Sequence, residues 1–347
     1  MSEPDSGPAR VGVRDVARVA GVSAQTVSRV INDHPRIREE TRRRVQDAMA
    51  QLDYRVNNAA RALGTRTSRT LGLIVSDATL YGPAVAVAEI ESAARQAGRW
   101  VATAYADAAD AASVRAAALH LRDQGVDGLI VVASHTRSAR ALADLDGRLP
   151  VELFHAHDDG AAQQAAAALV VEYLAALGHR RVARLGGPPD WLDEIARAAG
   201  YRAALTAHGV HEVAAWTGDW SAAAGAAVAP VAAAAIRETD GPTAIVCAND
   251  QLALGLVAGL AASGISVPGD VSVAGFDDNP DAAYYRPALT TVRLDIGGEA
   301  RRSVAAVLAA TVEPERDAPV YAVSTLPPAL VTRGSTAPPP RIAPGPH

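Results

Sequence analysis

The 347 residues are 49% hydrophobic and 20% charged, too much apolar material for a disordered chain and enough for more than one buried core. The net charge of −5 hides an asymmetry: residues 1–69 carry 13 arginines against 8 acidic residues, a balance of +5, which leaves −10 for the remainder. A basic head on an acidic body points to a polyanionic partner for the head alone, although a solvated charged surface would look the same. The polar stretch Met1–Arg10 has no apolar signal region and no later stretch reads as a bilayer span, so a cytoplasmic protein without a membrane partner is expected.

Residues 1–10 read as a disordered tail, and 11–54 as a unit of three short helices. Val13, Val16, Ala17 and Ala20 have helical spacing, and Gly21 stops that helix. Ser23 caps the next, Ala24 to Ile31, which turns Val27, Val30 and Ile31 inward. A third runs from about Glu39 to Leu52. Helix, short glycine turn, helix is the form in which a second helix enters a major groove. Ala24, Gln25 and Arg29 would face base edges, glutamine pairing with adenine and arginine with guanine. Ser23, Thr26 and Ser28 suit phosphate oxygens. The chain has no lysine, so each basic contact would come from the planar arginine fork or from histidine.

Residues 55–69 form an arginine-bearing linker, in which Asn57–Leu63 has the length of two helical turns. So short a helix needs DNA or a partner chain to hold it. From Thr70 to Arg333 the pattern becomes alternating strands and helices, with strands at 71–75, 100–105, 128–132, 151–155, 182–186, 213–216, 244–247 and 271–276. Helical runs such as 85–97, 161–177, 192–208, 222–237 and 252–263 separate them. This is the pattern of parallel sheets covered by helices, and eight units are too many for one comfortable open sheet, which predicts two lobes. The single cysteine, Cys247, sits in an apolar strand and offers no disulfide or cysteine-based metal centre. Residues 334–347, with five prolines, read as a disordered tail.

The run from Asp15-Val16-Ala17-Arg18 through Gly21-Val22-Ser23-Ala24-Gln25-Thr26-Val27-Ser28-Arg29 to Asn32 closely resembles the headpiece of the LacI/GalR (lactose-repressor) family of bacterial transcriptional regulators. The resemblance continues through 41–52, Tyr54 and the linker, and on to about Arg333. It implies an all-α helix-turn-helix headpiece plus an α/β two-lobed, periplasmic-binding-protein-like domain with parallel sheets. It also implies a homodimer on a pseudo-palindromic operator, with Asn32, Tyr54, Asn57 and Ala60 among the DNA contacts. Leu63 matches the hinge leucine that wedges into a central base step. From sequence alone that leucine could as well pack against the body. Arg38 departs from the usual small cap, so the third helix should start weakly or Arg38 should touch phosphate.

In the body, the resemblance implies a sugar-like effector bound by Arg197, Trp220, Asn249 and Asp277, with Ser76 and Asp77 ending the first strand. Asn249 or Asp250 would serve equally as a helix cap. Tyr81, His155, Trp191 and Phe276 are weaker candidates. Leu294 stands where many relatives have Gln, and the family's strand-end ligand Asp has no clear counterpart; His155, Asp158 and Asp159 compete for its role. His155 and His157 resemble a metal pair only loosely, so neither metal nor cofactor is expected. The segment 178–181 reads as a helix stop with basic residues at the helix end. No phosphate-cradling loop or nucleophile elbow marks an enzyme. The remaining alternatives are a corepressor-driven regulator and a solute-binding protein without a DNA role. The absence of a leucine heptad after Arg333 predicts a dimer instead of a tetramer.

Overall fold

The computed structural model describes residues 11–31, 34, 36–55, 67–132, 135–143, 145, 149–311 and 325–340, leaving the side chains of His157 and Asp158 outside the description. The chain divides into two units, one through Ser68 and one from Arg69.

In the first unit the helices are α1 (Val13–Ala20), α2 (Ala24–Ile31) and α3 (Glu39–Gln51). Val16, Ala17 and Ala20 of α1 meet Val27 and Val30 of α2 and Val45 and Ala48 of α3 in a small core. Gly21 adopts a left-handed conformation (φ 65°) that ends α1. The Arg44 guanidinium reaches the Ala20 and Gly21 carbonyls, tying the end of α1 to α3. Ser23 Oγ accepts from the Thr26 amide at 3.1 Å and so starts α2. Arg38 occupies the N-cap of α3 without a side-chain cap bond, while Glu39 and Glu40 supply negative charge to the first turn.

The second unit opens with β1 (Thr70–Val75), α4 (Tyr81–Gln96), β2 (Trp100–Tyr105), α5 (Ala111–Asp123), β3 (Gly128–Val132), α6 (Thr136–Ala143) and β4 (Val151–Leu153). It continues with α7 (Ala161–Leu177), β5 (Arg181–Gly186), α8 (Leu192–His208), β6 (His211–Thr217), α9 (Ala222–Ile236), β7 (Ala244–Cys247), α10 (Asp250–Ala262) and β8 (Ser272–Ala274). β9 (Thr291–Arg293), α11 (Ile296–Thr311) and β10 (Ala329–Val331) complete it. Two four-stranded parallel sheets result, ordered β2-β1-β3-β4 and β6-β5-β7-β8, with β9 and β10 as a separate antiparallel pair. Strand order reverses between β1 and β3 and again between β5 and β7, and in open sheets ligands sit at the carboxyl ends of such switch points.

The lobes exchange segments. The chain leaves the first lobe after β4, and returns after β9 so that α11 packs on α4 and β3. Two close helix crossings stiffen the second lobe. At Gly255 of α10 an added Cβ would collide with the Ala222 carbonyl of α9, and at Gly200 of α8 one would strike the backbone of Gln164 in α7. No helix among the described residues is long and apolar enough to cross a membrane.

The structure corrects several sequence expectations. The strand predicted over 151–155 ends at Leu153, because His155 turns into the left-handed region (φ 65°). The strand predicted over 271–276 shortens to Ser272–Ala274. The tail does not begin at 334: Ser335 is fully buried, accepts from the Thr290 amide and donates to the Val273 carbonyl. Ala337 continues the clasp through bonds to His179 and Ser272. Residues 1–10 and 341–347 lie outside the described residues.

Candidate functional site

On the first unit, Ser23, Ala24, Gln25, Ser28 and Arg29 of the predicted recognition helix are exposed, and Thr26 is half-buried with its hydroxyl 2.9 Å from that of Ser23. The core-facing Val27 and Val30 fix this orientation, because residues three apart share one face of a helix. Tyr54 is half-buried against the headpiece core. Asn32, Asn57, Ala60 and Leu63 lie outside the described residues.

On the second unit, a cleft opens where the two sheets present their carboxyl ends, with about 550 Å³ of empty space once the adjoining solvent is included. Its walls differ. Leu80, Pro83, Ala86 and Val132 come from the first lobe, Leu294 and Ile296 from the returning crossover, and all are apolar. Asp193, Arg197, Asn249 and Asp277, with Trp191 and Trp220, come from the second. His155 and Phe154 line it from the first crossover.

Arg197 is the hub of the polar wall. Its Nε donates to Gln163 Oε1 at 2.8 Å, Nη1 to the Ala248 carbonyl, and Nη2 to Asp277 Oδ1 at 3.2 Å. The guanidinium also lies over the Phe276 ring at 3.9 Å and within 5.6 Å of the Trp220 ring centre. Aromatic faces attract a desolvated cation, and here they hold the fork in one plane. Burial pushes the Asp277 carboxyl up to about 6, against the pull of Arg197. Behind it, burial and the charge of Asp277 lift Asp250 to about 8, although Asp250 accepts from Thr291 Oγ1 at 2.6 Å and the Asn279 amide at 2.7 Å. Asp250 therefore braces the loop after β8 and does not line the cavity.

Asn249 caps a helix and also stands on the cavity wall. Its Oδ1 caps α10 by accepting from the Leu252 amide at 2.8 Å, and its Nδ2 donates to the Trp220 carbonyl at 3.0 Å while the residue lines the cavity. Trp220 holds a left-handed backbone (φ 73°) and seats its ring against Gly187, where a Cβ would collide with it. It is both core and cavity wall: the residue is 4% exposed.

Trp191 lines the cavity and also bridges the lobes. Its ring lies 5.3 Å from that of Trp220 and 4.9 Å from that of His135, whose Nδ1 is 3.2 Å from Asp190 Oδ2. The Thr136 amide donates to the Asp190 carbonyl at 2.9 Å.

Other candidates fall elsewhere. Ser76 is buried with its hydroxyl on the Ala106 carbonyl at 2.6 Å, and Asp77 is exposed with φ 49°; neither lines the cavity. Burial raises the Asp77 carboxyl, opposed by His135. Tyr81 begins α4, and its amide donates to Gln251 Oε1 of the other lobe at 3.3 Å; burial raises its phenol. Of the three substitutes for the strand-end aspartate, His155 lines the cavity, Asp159 is exposed, and the Asp158 side chain is outside the description. Among the described residues no group of three His, Cys, Asp or Glu side chains could hold a metal ion. Sequence reasoning missed Gln163 and Asp193. The spacing of four between Asp193 and Arg197 on one helix was the available signal.

A helix-turn-helix unit with an exposed second helix, joined in one chain to a two-lobed body with a polar-walled cleft, defines a DNA-binding transcriptional regulator. Residues 13–57 match the model for bacterial regulatory proteins of the lacI family, and 171–336 match that of the periplasmic binding protein-like domain. The lactose operon repressor of Escherichia coli K12 is 36% identical over 298 residues, 82% of this chain and 80% of its own. The HTH-type transcriptional regulator GalR of the same organism is 32% identical over 94% of this chain and 96% of its own. The crystal structure of the lac repressor dimer bound to operator and the anti-inducer ONPF superposes with a TM-score of 0.75 at 32% identity, covering 94% of this chain and 99% of that one. A complex of the transcriptional regulator CelR with cellobiose gives 0.61 at 27% identity, over 94% and 100%. The chain belongs to the lacI family of bacterial regulatory proteins.

Proposed function

We propose that this regulator is a homodimeric repressor that grips a pseudo-palindromic operator and is released when a small sugar-like ligand fills the cleft. In this reading residues 11–54 read DNA, 55–69 form the hinge, and the body from residue 70 binds ligand and partner. The cavity binds its ligand and returns it unchanged, so the protein is not an enzyme. Gln25 and Arg29 read bases, Ser23, Thr26 and Ser28 hold phosphates, and the hinge with Leu63 pairs between half-sites. Ligand shifts the equilibrium only by its different affinity for the gripping and released states.

The observation that carries the reading is Arg197, held by Gln163, Asp277 and the Ala248 carbonyl at a cavity also lined by the Asn249 amide, the Asp193 and Asp277 carboxylates, the His155 imidazole and two indoles. That set presents acceptors and donors at fixed angles, as a polyol requires, while the apolar wall excludes water. The relatives support the same reading, since one structure contains operator and an anti-inducer and another contains cellobiose. The test is a gel shift of the full chain on its own promoter fragment, with and without a panel of mono- and disaccharides. Release by at least one sugar is expected. Tighter operator binding in its presence would make the ligand a corepressor instead.

A further inference from the structure

Asp193 is the cavity carboxylate that was not among the residues expected from the sequence. It lies in the first turn of α8, four residues before Arg197, so both side chains line the same cavity. Its Oδ1 is 3.5 Å from His155 Nδ1, and its side chain keeps 22% of its surface exposed. Among the described residues Asp193 Oδ2 accepts from no protein donor, and neither does Asp277 Oδ2. Among the donors nearby, each Arg197 nitrogen has one partner, so three of its five N–H groups are engaged; the Asn249 amide nitrogen is on the Trp220 carbonyl, and the buried Trp220 Nε1 has no partner among the described residues. The polar wall thus leaves open two carboxylate oxygens, one from Asp193 and one from Asp277, beside the few N–H donors of Arg197 and Trp220. Burial works against the Asp193 charge, but His155 holds its carboxyl below the usual range.

We propose that Asp193 is a second ligand-binding carboxylate and that, with Asp277, it selects a neutral ligand rich in hydroxyl donors over its phosphorylated or carboxylated counterpart. A hydroxyl both donates and accepts, so it satisfies a carboxylate oxygen and can still face Arg197. A phosphate at the same place brings negative charge and no donor to two carboxylates, which costs repulsion and leaves their open oxygens unpaired. The proposal rests on the sugar-sensor reading and adds the residue that sets its specificity.

The test is calorimetric titration of the full chain with glucose, galactose, lactose and cellobiose, and with glucose 6-phosphate, galactose 6-phosphate and gluconate. It uses the wild type, Asp193→Asn and Asp193→Ser, each checked for a cooperative melt. The tightest neutral binder should lose about 10- to 100-fold in affinity in both variants, the scale of a hydrogen bond to a charged group. Its advantage over the anionic sugars should narrow in both variants. Undiminished affinity in either folded variant, or a wild type that prefers a sugar phosphate, overturns the assignment of Asp193. If none of the seven probes binds, the sugar reading falls and this one with it.

Discussion

The recognition helix and the ligand cavity hold their polar side chains in opposite ways. Gln25, Ser28 and Arg29 stand in solvent on a helix fixed by its apolar face and the Ser23 cap, so they meet their hydrogen-bond partners when a duplex arrives. In the cavity, Arg197, Gln163, Asp277 and Asn249 are already bonded to one another or to backbone. The first surface has water to displace but no internal bond to break, so changes there should alter affinity for DNA with little effect on folding. The second is preorganised and buried, so changes there should disturb ligand response and stability together.

The largest effect to break this contrast is Arg197→Ala. It strips Asp277 of its buried counter-charge and should cost about 3–5 kcal/mol of body stability, read by urea unfolding. Ligand release should be lost, while operator binding without ligand persists. Normal release by the variant would show the cavity assignment to be wrong.

Next, Gln25→Ala and Arg29→Ala should each lose about 1–3 kcal/mol of operator affinity with unchanged melting, because each removes one bidentate base contact. Fluorescence anisotropy on specific and random duplexes checks the loss and its selectivity. Leu63→Ala should likewise weaken specific binding far more than non-specific binding, and equal losses would remove the wedge role.

Gly255→Ala probes the body without touching a polar group. The added methyl meets the Ala222 carbonyl across the α9–α10 crossing, and overpacking of this kind costs about 1–3 kcal/mol. Stability should fall while operator specificity is retained.

The remaining comparison is with pH. Asp277 and Asp250 keep their protons in the folded state to about 6 and about 8, whereas the unfolded chain releases them near 4. Between those values the folded state binds more protons, so stability should fall as pH climbs from about 4 to about 8. Asp250→Asn should flatten the upper part of that decline in thermal melts. A steeper decline would contradict the burial argument.

Much of the fold was legible because the apolar pattern is local. Val13 to Ala20 and the buried runs Leu71–Val75 and Gly128–Val132 announce their own structure. The β9–β10 pair was not legible, since its partners come from segments separated by α11 and neither strand alternates long enough to register. The clasp made by Ser335 and Ala337 was hidden by proline-rich composition, although its bonds reach Val273, His179 and Ser272. In the cavity, Arg197, Asn249 and Trp220 were readable from family resemblance. Gln163 was not, because an alanine-rich helix gives no sign of which turn faces the second lobe's arginine. Ser76 and Asp77 do not line the cleft for a simple reason. A strand end is the right place for a ligand residue, but the turn at Asp77 sends one side chain to the Ala106 carbonyl and the other to solvent.

The most direct measurement is anisotropy of the full chain on its promoter fragment while the cleft is filled with the best-binding neutral sugar. The account predicts a specific, salt-sensitive complex whose affinity drops at least about tenfold on ligand addition, a difference of about 1.4 kcal/mol between the two states. A chain that holds promoter and random DNA equally, or whose grip is indifferent to every ligand that binds the body, would contradict it.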